Sequence, residues 1–287
     1  MGRTFAILVA LAAGILLPGL APWYPAMRWL LAAMLFLGFL AMPMSAMAPS
    51  RVHLKLLLAW PLFMGAGYAM LAPFGRDAAL AGLLVGATPT ATAAPVITGF
   101  LGGNVGFVSF SLLASNLLAA AFLPPLLSCL AHSGQIPSTL PFALSTMALV
   151  GIPLALAALL RRLSPAVVVA SRRLKHPSFV LWLSVLVLAG AKTSAFFRQA
   201  PSVPWTTIAA IAAGSLALCA AHFTIGRRLG APGRELEAGQ SLGQKNTMLT
   251  LWLGISACGP VAALGPAFYV LWHNLWNGIQ LGVRKRA

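Results

Sequence analysis

The stretch GATPTATAAP, from Gly86 to Pro95, interrupts an apolar run of membrane-spanning length with two prolines and three threonines. Proline lacks the N–H that a helix needs and crowds the preceding turn. Inside a bilayer the groups freed in this way require a partner from protein or from a water-lined cavity. A second interruption, Gly243-Gln244-Lys245-Asn246-Thr247, falls in a later apolar run. A cation at mid-bilayer costs about 3 kcal/mol on insertion scales, so Lys245 must face a partner, a cavity or a bound substrate. The only acids in the chain are Asp77, Glu235 and Glu237, and all three read as lying in short polar loops.

Outward from these two stretches, the composition is that of an integral membrane protein. Of 287 residues, 60% are hydrophobic and 8% charged, with a mean hydropathy of +0.90; in soluble domains about a quarter of residues are charged. The net charge of +16 comes from short basic clusters between apolar runs. That pattern reads as topology, not as a nucleic-acid surface, and membrane lipid is the expected surround.

Ten apolar segments are expected, at roughly 4–21, 27–47, 54–73, 79–100, 104–129, 139–160, 177–194, 204–226, 240–257 and 261–282. They are continuously apolar, which favours helices over a barrel. With a cytoplasmic N-terminus, fourteen of the nineteen Lys and Arg fall on the cytoplasmic side, so both termini are expected in the cytoplasm of a cell inner membrane. Arg3 ahead of the apolar Phe5–Leu17 has the outline of a signal peptide, but no A-x-A site follows it. Between the arginine pairs after residue 160, Pro165–Ala170 reads as an interfacial segment. Cys129, Cys219 and Cys258 have no C-x-x-C spacing and are expected as small buried side chains. Trp23, Trp29 and Trp205 read as interfacial, and Trp252 and Trp276 as deeper.

The two interruptions occupy the fourth and the ninth segments, each the fourth of five in its half. An odd number of spans per half inverts the second half. The expected organisation is therefore two inverted five-helix repeats, 1–130 and 131–287. Broken segments at matching positions of inverted repeats point to the central site of a transporter.

The run Pro89-Thr90-Ala91-Thr92-Ala93-Ala94-Pro95-Val96, the Gly103-Asn104-Val105 that follows, Ser241 to Thr247, and Trp272-His273-Asn274 together resemble the bile acid:sodium symporter family, within the wider group of arsenite and auxin efflux carriers. The resemblance implies an all-α membrane fold of ten helices with a core and a panel domain, and helices four and nine crossing as discontinuous helices. It also implies alternating access, small organic anions bound between the domains and two sodium ions behind the crossing. This chain departs at the implied sodium ligands, where it has Ala94, Pro95, Ser241 and Lys245. A lost carboxylate and an added ammonium make a poor cation site.

The expected function is transport of a small organic carboxylate or sulfonate without sodium coupling. Lys245 would serve as a tethered cation bonded to freed carbonyls and to Asn246, Thr92 or Asn116, or as a group that loads and loses a proton. The substrate-contact candidates are Thr90, Thr92, Pro95, Asn116, Lys245, Asn246, Thr247, His273 and Asn274, while Asn104 reads as a helix cap. A sodium symporter with a rebuilt ion site, a proton-coupled efflux carrier and a non-transporting sensor are the alternatives. No membrane segment carries an Asp or Glu and no P-loop is present, so neither an enzyme, a cofactor nor ATP coupling is expected.

Overall fold

The computed structural model describes residues 2–40, 47–130, 139–164, 166, 175–199 and 203–284. Twelve α-helices follow one another among them. They are α1 Gly2–Leu16, α2 Met27–Leu40, α3 Arg51–Leu71, α4 Arg76–Ala87, α5 Ala94–Phe100 and α6 Val105–Leu130. The remainder are α7 Thr139–Leu163, α8 Lys175–Gln199, α9 Trp205–Gly230, α10 Glu235–Gly243, α11 Thr247–Ala257 and α12 Pro260–Arg284. A 3-10 segment, Pro18–Ala26, leads into α2. Four helical stretches, Pro18–Leu40, Arg51–Phe74, Val105–Leu130 and Trp205–Gly230, are long and apolar enough to cross a membrane. The fold is all-helical, and these apolar helices are those of a membrane-embedded protein.

Two expected spans are each two helices. The run at 79–100 is α4 and α5 with a break at residues 88–93, and the run at 240–257 is α10 and α11 with a break at residues 244–246. The turns read at 102–104 and 258–260 are made by Gly102 (φ 68°) and Gly259 (φ 94°), backbone angles that favour glycine. The acids are not in loops. Asp77 lies in the first turn of α4, and Glu235 and Glu237 in the first turn of α10, where the partial positive end of a helix favours a carboxylate. Cys219 and Cys258 are buried, but Cys129 is exposed. It lies on the outer side of α6, which an apolar run alone does not distinguish from the inner. Most of the interfacial segment expected at Pro165–Ala170 lies outside the described residues.

By internal packing the chain forms two compact units, each drawing on both sides of residue 130: Met1–Met42 with Ala120–Ser202, and Pro43–Ala119 with Val203–Ala287. In the first unit, Met27, Leu31, Leu35 and Phe39 recur every four residues on α2 and are buried, and α2 packs on α7 and α8. Arg161, in the last turn of α7, donates to the terminal carbonyls of α2, to Leu40 O at 2.8 Å and Phe39 O at 3.3 Å. A cation thus covers the partial negative end of a helix.

The second unit is built around α4, in which every residue from Ala78 to Ala87 is buried. Small residues let backbones meet where hydrocarbon gives no hydrophobic drive. A Cβ added at Gly67 of α3 would strike the Gly82 carbonyl of α4, and one at Gly82 would strike that of Gly67. On another side, Gly265 of α12 lies against Ala81 in the same way. The start of α6 is held by three elements. Asn104 Oδ1 accepts the Phe107 N–H at 2.9 Å, the cap expected of it. The Asn104 N–H is taken in turn by Glu237 Oε1 of α10 at 2.7 Å. His53 Nε2 of α3 donates to Phe107 O at 3.0 Å, which leaves Nδ1 to accept the Ser50 N–H at 3.0 Å.

The glycine contact predicts that Gly82→Val lowers the thermal midpoint of the purified protein steeply, since overpacking costs about 1–3 kcal/mol even where some relaxation is possible. Gly65→Ala, with open space around its Cβ position, should leave the midpoint unlowered or slightly raised, because alanine favours the helix over glycine.

Candidate functional site

The breaks at residues 88–93 and 244–246 lie in the second unit and pair with each other. Ala91 N donates to Gln244 O at 2.8 Å and Asn246 N donates to Pro89 O at 2.7 Å, so that Thr90 and Lys245 form an isolated antiparallel bridge. Each break supplies what the other lacks. Pro89 has no N–H but has a carbonyl, and Asn246 has an N–H that α11 does not use.

Side chains satisfy the remaining groups. Lys245, only 3% exposed, donates through Nζ to Thr88 O at 2.9 Å. Thr88 is the C-cap of α4, so the ammonium sits where the helix end is partially negative. The Thr90 N–H goes to Ser115 Oγ at 3.0 Å and its hydroxyl to Ser241 O at 2.7 Å. Asn116 Nδ2 donates to Thr90 O at 2.8 Å and also to Leu112 O in its own helix. Asn116 Oδ1 accepts from Asn246 Nδ2 at 2.8 Å. Beneath the bridge, Thr88 Oγ1 donates to Leu84 O at 2.6 Å and meets Thr250 Oγ1 at 2.8 Å.

A second polar line fixes α10. Tyr269 OH donates to Gly243 O at 2.8 Å, so at 3.1 Å from His222 Nδ1 it accepts the imidazole N–H. Gln244 Nε2 donates to Asn277 Oδ1 and to Gln240 Oε1, and Gln240 Nε2 donates to Gln280 Oε1 at 2.7 Å. Amide side chains thus tie the C-terminal turn of α10 to one turn of α12.

Of the nine substrate-contact candidates, Thr90, Asn116, Lys245 and Asn246 meet at the crossing. Thr247 is buried in the first turn of α11, and its carbonyl accepts from Thr250 Oγ1 at 3.4 Å. Pro95 is buried in the first turn of α5, and Thr92 is half-buried at the rim of the break. His273 and Asn274 lie on α12. His273 is buried edge-on to Tyr269, 5.5 Å between centroids, and Asn274 Nδ2 donates to Val270 O one turn back at 2.7 Å. Trp272 Nε1 donates to Ala212 O of α9 at 3.1 Å. Trp276 stacks on Phe223 at 5.1 Å. The ammonium has reached a freed carbonyl, while the two asparagines named as its partners bond to each other.

Ser115, Gln244 and Tyr269 are at the crossing without having been singled out from sequence, and Ser241 was read there only as a departure from the implied sodium ligands. A serine in an apolar helix most often bonds its own preceding turn, and only the fold brings these two onto Thr90. Around the ammonium is a cavity of about 30 Å³, room for a water or two.

Ala94 and Pro95 bring no side-chain oxygen, Ser241 a single hydroxyl and Lys245 an ammonium. This donor set does not fit a sodium ion, which needs several oxygens. Among the described residues no three His, Cys, Asp or Glu side chains group as metal ligands.

Replacing Asn116 by Leu would strand Thr90 O and Asn246 Nδ2 in a buried setting. The expected loss is about 2 kcal/mol or more, read as a drop in the thermal midpoint in detergent, whereas Asn274→Leu should cost much less. No protein-family model matches the chain, and no curated protein matches its sequence.

Proposed function

We propose that this protein is a secondary carrier for a small organic anion, a carboxylate or sulfonate, that works without sodium. The observation that carries the reading is the buried Lys245 ammonium on the Thr88 carbonyl, at the point where two broken helices cross. A fixed cation there does what a bound sodium ion would do in a sodium-coupled carrier of this architecture. It neutralises the carbonyl end of α4 and holds the two breaks together.

The architecture is read as ten spans in two inverted repeats of five. Counting α4 with α5 and α10 with α11 as single interrupted spans gives ten helical segments, with an interruption fourth in each half. The interleaved composition of the two compact units supports a division into a core and a panel domain. The basic residues favour an inner membrane with both termini in the cytoplasm.

The 30 Å³ cavity has no space for an organic substrate. The carrier reading therefore puts substrate contact at the rim of the break, where Thr92 is half-buried and Ala93 exposed, with Lys245 acting through its field. Buried charge acts over several ångströms because little water screens it.

The test is uptake by proteoliposomes offered a panel of labelled small carboxylates and sulfonates, with sodium or potassium as the only external cation. The expected result is uptake of at least one compound at equal rates in both salts, reduced at least tenfold in Lys245→Ala. Uptake that requires sodium would refute the reading. If Lys245 also carries a proton, the parent rate will vary with pH and the Lys245→Ala rate will not; matching profiles would remove proton coupling.

A further inference from the structure

The cavity beside Lys245 has a largely apolar wall that includes Leu56, Leu57, Ala114 and Leu242, and most of the polar groups that also line it already have partners. Trp60 Nε1 donates to Ala87 O at 2.9 Å, both nitrogens of His53 are engaged, and the Thr90 hydroxyl is spent on Ser241 O. Ser115 Oγ accepts from Thr90 and donates to Leu112 O. What is left over is two hydroxyls and an ammonium. Ser111 Oγ and Ser241 Oγ are buried with no partner among the described residues, and both residues line the cavity with Lys245. Buried polar atoms are rarely left unpaired in this way, and each one needs a reason.

All three free groups can donate, although the hydroxyls can also accept. An ammonium has three hydrogens, and the bond to Thr88 O uses one of them. Each serine adds an O–H that can turn toward the cavity. No acid lines it, and the three acids of the chain are elsewhere: Glu237 is committed to Asn104 and Arg234, and Asp77 and Glu235 open α4 and α10. A buried cation without a counter-charge is costly. Groups that can donate, around a space of about 30 Å³, suit a monatomic anion.

We infer that Lys245, Ser111 and Ser241 form a halide site, filled by chloride under ordinary conditions. The inference concerns a site internal to the crossing and stands whether or not the protein transports an organic anion. Bound chloride would neutralise Lys245 and satisfy both orphan hydroxyls. It would also set the charge that the crossing presents to any substrate at its rim.

The experiment is thermal unfolding of the full-length purified protein, exchanged into potassium gluconate and titrated with potassium chloride, bromide or sulfate at constant ionic strength. The expected result is a saturable rise in the midpoint with chloride and bromide and none with sulfate. Ser241→Ala should weaken half-saturation about fivefold, the equivalent of one hydrogen bond, and Lys245→Met should abolish the response. The Ser241 side chain has no other partner among the described residues, so its alanine variant keeps the test decisive if Lys245→Met fails to fold. Crystals soaked in bromide should give an anomalous peak within hydrogen-bonding distance of Lys245 Nζ. Equal midpoints in chloride and gluconate, or a chloride response unchanged in both Ser241→Ala and Ser111→Ala, would overturn the site and leave water as the occupant. Uptake of organic anions is a separate readout, so failure of the carrier reading and failure of the halide site are distinguishable.

Discussion

A helix broken within hydrocarbon frees N–H and C=O groups that water does not reach, and each must find a partner or cost several kcal/mol. This protein breaks two helices and lets them answer each other. The exchange of Ala91 N with Gln244 O and of Asn246 N with Pro89 O is the constraint from which the other contacts follow. It fixes the register of the breaks, and so brings Thr90 under Ser115 and Asn116 and Lys245 under Thr88. Without it, the buried ammonium would have no carbonyl to face.

The packing around the crossing serves the same end. Helix α4 is buried from Ala78 to its end at Ala87, and glycines at its contacts with α3 and α12 allow backbone to touch backbone. Close approach brings the end of α4 to a defined place, and the Tyr269 hydroxyl and the Gln240, Gln244 and Asn277 amides do the same for α10. At the other end of α10, Glu237 completes the cap of α6 from outside that helix, a role usually filled by a residue three positions into the same helix.

Much of this was legible in the sequence because it rests on local chemistry. Two prolines among threonines announce a break, glycines with positive φ announce turns, and a lysine among apolar residues announces a constrained site. Asn104 was readable as a cap for the same reason. The pairing was not readable. Thr90 and Lys245 are far apart in the chain, and nothing in either stretch states which residue faces which. Ser115 and Ser241 meet Thr90 only through the fold, and a mid-helix polar residue such as His273 or Asn274 declares that it has a partner, not where that partner lies. Glu237 was misread as a loop residue because an acid at a helix start and an acid in a turn have the same polar neighbours.

The doubly bonded bridge changes what a broken helix means mechanically. An interruption in a membrane helix is usually regarded as a hinge, since a few residues leave the ladder that stiffens the rest. Here the residues outside the ladder carry cross-links to three other helices, and the Thr90 backbone is tethered on both its N–H and its C=O. The irregular segment is thus a cross-linked joint between helices and not a free hinge.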